Sequence, residues 1–338
     1  PDSIPDIIQY IEHGVLNLVA QAENIGHMSQ TLSNSVLDNY HHLGDAASIT
    51  DGLHYDPKLA PYEKSADGKS SGTPDDMWAF TSLDFRAATM FAAASRALKG
   101  YNDDLSARAL KQSKRLLKEA TELMPESSPK NKRQKVTEDM AANLQLYVST
   151  GEKNYLERFT QEIWQSLEGN VNYNIMTAMD AIPYMDASYK EKLRPYVLKY
   201  KEYLDSLNHD NPYGLPIGRG NWAGNGGMVN FGTTVCFASK YFPDIIDSSY
   251  AFKVANWLYG CHPYHNYSFV ATVGATRPKA VFYGNNRADF SAIPGNMAPG
   301  VLFRQPDDWP FLWGQNEGTI AGNTSYVIFG HAFRDLVR

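Results

Sequence analysis

The sequence predicts an all-α fold. Three observations lead there. Apolar residues recur at helical spacing along most of the chain. Short polar turns (GYND, PESSP, TGEKN, MDAS, FPDIIDSS) separate the periodic stretches. Strand-like alternation is confined to short pieces such as SFVATVG at 268–274 and KAVFY at 279–283. Of 338 residues, 43% are hydrophobic and 20% charged, enough for a sizeable core. No composition break divides the chain, so a single domain over 1–338 is expected.

The first element runs from about Pro5 to Ile25. Ile7, Ile8, Ile11, Val15, Leu16 and Leu18 mark its apolar face, with Ser3 as the expected N-cap and Pro5 in the first turn. A long irregular segment, 26–79, follows; loops of that length in compact domains tend to be functional or disordered. It carries His41, His42, GDAASITDG at 44–52 and KSADGKSSGTPDD at 64–76. Helices are then expected at 80–99, 103–124, 130–149, 153–168, 171–184, 188–207, 226–242, 248–259 and 317–336. A second irregular segment, 260–314, precedes the last of them. About ten helices joined by short connections fit a bundle, a superhelical repeat or a toroid. No repeat at a fixed period is visible. In a toroid, the two long segments would gather at one rim and build a site.

Several classes of function are disfavoured. A formal net charge of −6 argues against nucleic acid as partner. The basic run PKNKRQK, 129–135, reads as a solvated helix start. No run of 18 apolar residues is present to span a membrane. There is neither a phosphate-cradling Gly-rich loop with its Lys nor a GxSxG elbow. Cys236 and Cys261 fall in or beside apolar helical stretches and read as buried free thiols, with one bridge left open. His41, His42 and His54, with Asp45 and Asp51, match no tight zinc spacing; oxygen ligands for a structural calcium fit that loop better. No other cofactor is expected. Asn266–Ser268 and Asn323–Ser325 match the glycosylation pattern, the second inside a helix, where an acceptor fits poorly. The 21 Tyr, 15 Phe and 6 Trp offer many flat faces on which sugar rings could stack. There is no signal peptide, and the opening PDSIPDII reads as the middle of a protein.

One stretch holds a lone carboxylate in the setting that proton donation needs. In FLWGQNEGTIAGNTSY, 311–326, Glu317 lies between amides and small residues, with Trp313 upstream and Tyr326 downstream. Desolvation in such a setting raises a carboxyl pKa, as a general acid requires. The plainer reading is a favourable charge at a helix start. Two further stretches accompany it: NPYGLPIGRGNWAGNGGMVNFG at 211–232 and ANWLYGCHPYHNYSFVATVGATRPKAVFYGNNR at 255–287.

In that order and spacing these stretches resemble the C-terminal half of glycoside hydrolase family 9, a cellulase family with an (α/α)6 barrel. Trp222 to Asn225 resembles the family's "WG.N" segment, and LYGCHP followed by SFVATVG resembles "LG.NP…SFVTGFG". Pro299 to Leu302 matches "PGVL", and Asn316–Glu317 matches the "NE" that begins the last helix. The early IPDII is similar to "IPDLLDE", and STGEKNYL at 149–156 to the "TGD..YL" turn.

The resemblance implies an O-glycosyl hydrolase that cuts β-1,4-linked glucan or gluco-oligosaccharides with inversion, with Glu317 as general acid. An inverting site also needs a base roughly 6.5–9.5 Å away, leaving room for a water. The family carries that base in a "DAGD" motif upstream of the helix where this chain starts. About one helix pair of the barrel and the base are thus expected in an N-terminal segment of the same protein. Without it, the apolar flanks of the first and last helices would lie uncovered. Arg287 matches the Arg of the family's "PHHR" and suits a sugar hydroxyl through its rigid fork. Asn285 and Asn286 replace the histidines, and Gly322 stands where an aromatic residue is frequent. Both departures fit a shorter, substituted or amino-bearing oligosaccharide, as for an exo-acting β-glucosidase or β-glucosaminidase. A catalytically inactive carbohydrate-binding protein is the other alternative. Trp222, surrounded by glycines, reads as a sugar platform, and Trp78 divides evenly between platform and core. Trp164 and Trp257 read as core, and Asp75 and Asp76 as helix-start charges. A polymeric substrate implies a secreted or periplasmic protein.

Overall fold

The computed structural model describes residues 3–26, 28, 54–56, 58–60, 63–72, 83–123, 129–217, 224–261, 266, 268–274, 294–301 and 319–338; for 25, 54, 55, 71, 83, 123 and 129–138 it describes the backbone alone. These residues are overwhelmingly helical and fall into two compact units, Pro1–Ser166 and Leu167–Arg338.

The first unit opens with α1 (Asp6–Ile25). Its cap position is Pro5, with no side-chain cap, so the expected Ser3 cap does not form; Ser3 instead has a left-handed backbone, φ 66°. Gly26 ends the helix at φ 93°, the left-handed C-cap conformation that costs glycine least. Next come α2 (Leu83–Leu98), α3 (Asp103–Leu123), α4 (Pro129–Thr150) and α5 (Lys153–Gly169). The α2 helix is central and packs on α1, α3 and α4. Its alanines Ala87, Ala88, Ala92 and Ala94 let neighbours approach, while Phe85, Phe91 and Leu98 fill the space between. Val19 of α1, Leu116 of α3 and Leu146 of α4 complete that core. Polar threads cross it: Ser113 Oγ donates to Ala88 O at 2.6 Å, and Arg96 of α2 donates to Gln145 O at 3.0 Å and Ser149 Oγ at 2.6 Å on α4. Between α1 and α2, β1 (His54–Tyr55) and β2 (Ser70–Ser71) make a minimal parallel pair. The base of that long segment is closed by Met28 N–H, which donates to Asp84 Oδ1 at 2.7 Å.

The second unit starts with α6 (Val171–Asp180), capped by Asn170, whose side chain accepts from Tyr173 N–H. The helix expected through 184 breaks at Ala181 into a 3-10 turn, Ile182–Tyr184, containing Pro183, whose ring lacks the N–H that a continuing helix needs. Then follow α7 (Ala187–Asp210), α8 (Asn225–Tyr241), α9 (Ser249–Tyr259) and α10 (Ile320–Val337). The α8 helix packs on α6, α9 and α10. Gly232 makes this possible: a Cβ there would meet Phe329 Cε2 of α10 at 2.6 Å and Val254 Cγ1 of α9 at 2.9 Å. Trp257 is core, as expected, stacked on Phe269 at 5.3 Å and met edge-on by Tyr213 at 5.0 Å. Trp164 is only partly buried.

Both cysteines are free; Cys236 is buried, but Cys261 is exposed, against the expectation of two buried thiols. Gly260 ends α9 in the left-handed conformation and turns the chain outward one residue before Cys261. Large apolar side chains stay exposed on α1 (Ile7, 64%; Tyr10, 77%) and on α10 (Ile320, 89%; Val327; Ile328). No helix among the described residues is long and apolar enough to cross a membrane.

Candidate active site

The candidate site is approached through a buried polar node in the second unit. Asn225, the first residue of α8, is fully buried. Its Oδ1 accepts from the Trp257 indole N–H at 2.9 Å, and its Nδ2 donates to Ala298 O at 3.0 Å and Gly300 O at 2.6 Å. Its backbone N–H, one of the donors that a helix start leaves without an internal partner, goes to Pro299 O at 2.9 Å. One amide thereby joins α8, α9 and the 294–301 loop, using both its donors and its acceptor.

That loop is laced to the strand-like 268–274 piece. Ala271 N–H donates to Asn296 O at 2.9 Å, Gly295 N–H to Ala271 O at 2.8 Å and Ala298 N–H to Phe269 O at 2.7 Å; Val270 and Met297 form an antiparallel bridge. Gly274, at φ 96°, passes so close to the end of α9 that a Cβ would meet Tyr259 O at 2.5 Å.

The start of α10 joins the same loop. Thr319 is its N-cap, accepting from Gly322 N–H at 3.0 Å. Asn323, one turn in, accepts from Met297 N–H at 2.9 Å and donates to Asn296 Oδ1 at 2.6 Å. Tyr326 and Tyr259 share a hydroxyl contact of 2.9 Å between α10 and α9, and burial raises the Tyr326 phenol above its ordinary range. All these side chains are neutral, so fixed dipoles and not ion pairs hold the node.

Every residue singled out from the sequence as catalytic or sugar-binding lies outside the described residues: Glu317, Arg287, Asn285, Trp222 and Trp78. What the structure brings together is the described ends of their segments. Trp222 precedes Asn225 by three positions, and Glu317 precedes Thr319 by two. Asn285 and Arg287 belong to the stretch between Gly274 and Pro294, whose flanks pair through Ala271 and Gly295. Trp78 belongs to the segment ending at α2, in the first unit. The last helix begins at Ile320, not at 317 as expected, because Thr319 and not Glu317 provides its cap. A Cβ on Gly322 would lie 3.0 Å from Thr319 Oγ1 and 3.7 Å from Met297 Cε, so cap and methionine occupy part of the space the missing side chain leaves. The sequence reading missed the structural roles of Asn225, Asn296 and Asn323, whose hydrogen-bond partners lie far off along the chain.

The histidines and aspartates weighed for a metal lie outside the described residues, apart from the backbone of His54. Among the described residues no group of three or more His, Cys, Asp or Glu stands ready for a metal ion.

With this geometry in hand, the family is defined. The pattern of glycosyl hydrolase family 9 matches residues 59–328, and the chain belongs to that family. Solved structures agree in fold. A metagenome-derived family 9 endoglucanase aligns with a TM-score of 0.60 at 18% identity, covering 74% of this chain and 51% of its own. AaCel9A, in complex with a cellobiose-like isofagomine, aligns at 0.58 and 15% identity, covering 82% and 59%. An endoglucanase from the termite Nasutitermes takasagoensis aligns at 0.53 and 17% identity, covering 75% and 65%. At such identities the likeness is one of fold, the all-α (α/α)6 type expected from the sequence. The chain spans between about half and three-fifths of the first two of these structures. No curated protein matches the sequence.

Proposed function

We propose that the chain is the larger part of a single catalytic domain that hydrolyses β-1,4-glycosidic bonds in glucan or gluco-oligosaccharides with inversion of configuration. The observation that carries this reading is family membership over a span that includes Glu317. The three segments bearing Trp222, Asn285 with Arg287, and Glu317 start from one polar node, which supports a common site. Glu317 protonates the leaving oxygen, while an Asp in an upstream segment of the protein activates water on the opposite face of the sugar. Arg287 and Asn285 hydrogen-bond sugar hydroxyls, and Trp222 and Trp78 offer stacking faces. No cofactor takes part in the chemistry, and any calcium is structural. The upstream segment covers the apolar faces of α1 and α10. A polymeric substrate places the protein outside the cytoplasm, secreted or periplasmic.

The test is Glu317→Gln in the full-length protein. Hydrolysis of soluble cello-oligosaccharides should be abolished while binding persists; undiminished turnover would overturn the assignment. The anomer first formed, read by NMR, should be the inverted one. Exo action on a shorter or amino-bearing sugar is the second reading, favoured by Asn285, Asn286 and Gly322. It predicts single sugars released from one end, where endo action gives mixed lengths. Binding without turnover on the whole panel would instead indicate the inactive carbohydrate-binding protein.

A further inference from the structure

The α6 helix ends on a carboxylate that nothing among the described residues compensates. Asp180 is its last residue, at the negative end of the helix dipole, where a carboxylate is unfavourably placed. Burial pushes the Asp180 carboxyl up to about 6, and no donor or cation pulls it back. Pro183 then takes the chain through the 3-10 turn Ile182–Tyr184, and Tyr184 emerges 46% exposed. The end of α8, which packs on α6, supplies a second ring, Tyr241. Burial raises the Tyr241 phenol, and so do the Asp180 charge and the Tyr184 phenol beside it. Phe237 meets the Tyr241 ring edge-on at 6.1 Å between centroids, and the Lys240 ammonium lies 5.6 Å from the Tyr241 centroid. Asp180 and Tyr241 both keep an edge open to solvent. The α8 helix is 17 residues long, so this patch lies about 24 Å along it from Asn225 and the polar node.

A largely buried carboxylate without a partner, beside two tyrosine rings, suits a neutral ligand rich in hydroxyls. Sugar hydroxyls donate to a carboxylate in charge-assisted hydrogen bonds, and the C–H face of a sugar ring covers an aromatic ring. A metal ion fits poorly, since no group of three potential ligands stands here and Lys240 repels a cation. We propose that this end of α6 and α8 is a second carbohydrate-binding site, where the Asp180 carboxylate accepts from the hydroxyls of a β-linked glucan chain and the Tyr184 and Tyr241 rings take its sugar faces. The choice of β-glucan as ligand rests on the functional reading above; the site itself holds the polymer and does no chemistry.

The experiment is native electrophoresis of the full-length protein through gels containing hydroxyethyl cellulose, a soluble β-1,4-linked glucan, with turnover of cellotetraose measured alongside. Asp180→Ala removes the acceptor and Tyr184→Ala the exposed ring. Tyr184→Phe keeps the ring, and Tyr184→Ala, on the surface, guards against misfolding at Asp180. In variants that remain folded by circular dichroism, Asp180→Ala and Tyr184→Ala should weaken retention by the glucan about 3- to 10-fold, while Tyr184→Phe stays within about twofold of the wild type. Cellotetraose turnover should stay within about twofold in all three, because the patch and the node lie at opposite ends of α8. Wild-type retention in both alanine variants overturns the inference, and so does a loss of retention matched by an equal loss of cellotetraose turnover. If the wild type cleaves β-glucan and the alanine variants are retained as well as it is, the inference alone falls. If the wild type cleaves no β-glucan but its retention still depends on Asp180 and Tyr184, the functional reading falls and the site stands. A wild type neither retained nor active removes both.

Discussion

Gly232 of α8 lies against Phe329 of α10 so closely that a Cβ on the glycine would come within 2.6 Å of the ring. Phe329 is buried and Val254 closes the other side, so neither neighbour can move away without opening the core. Gly232→Ala therefore improves helix propensity but overpacks the contact. The overpacking should win, with a loss of about 1–3 kcal/mol in denaturant unfolding. A variant as stable as the wild type would mean that α10 shifts freely on α8.

Asn225 predicts a second loss. Asn225→Ala leaves the Trp257 indole N–H and two loop carbonyls without this partner in a buried place. A buried polar group stripped of its partner costs about 1–3 kcal/mol. The variant should unfold at markedly lower denaturant and show altered tryptophan fluorescence in the native state. Asn225→Asp tests the donors separately: it keeps the acceptor for Trp257 and loses both bonds to the loop. It should be destabilised as well, and unchanged stability in both variants would show the node to be dispensable.

Asp84 makes stability depend on pH. Burial pushes its carboxyl up to about 7, against the lowering effects of the Met28 N–H and the nearby Arg115. The unfolded value lies near 3.8. Between these limits the folded state binds more protons than the unfolded state, so this group's contribution falls as pH rises from about 4 to about 7. Glu162, raised to about 7 by burial and then by Asp139, acts with the same sign. Asp84→Asn keeps an acceptor for Met28 and removes the charge. Urea unfolding across pH should find the variant ahead of the wild type at pH 8, with the gap shrinking toward pH 4. A gap that does not vary with pH would count against the buried carboxylate as its cause.

Much of the architecture was legible because helices announce themselves locally. The expected 103–124 and 153–168 became Asp103–Leu123 and Lys153–Gly169. The misses share a physical origin in places where one residue competes with the local pattern. Pro183 stops α6, Thr319 takes the cap that would have started the last helix at Glu317, and Gly260 turns Cys261 outward. The polar node was not legible at all. Asn225 reaches a carbonyl 73 residues away, and an amide buried by such long-range bonds has no periodic signature. The family's motifs marked the stretches around the node, but not the asparagines that tie them together.

The exposed face of α10 provides the last prediction. Val327 and Ile328, 55% and 52% exposed in this chain, lie one and two turns beyond Thr324 and Ile320 on the same side of the helix. On a free surface, replacing either by serine changes stability by about 0.5 kcal/mol at most. If an upstream segment of the protein packs on this face, as proposed, each side chain is buried in the full-length protein, and its loss costs about 1–3 kcal/mol. Unfolding of full-length Val327→Ser and Ile328→Ser decides between the two values. Losses at the larger value in both place a partner element on α10, whereas losses at the smaller value leave that face to solvent and remove the upstream segment as its cover.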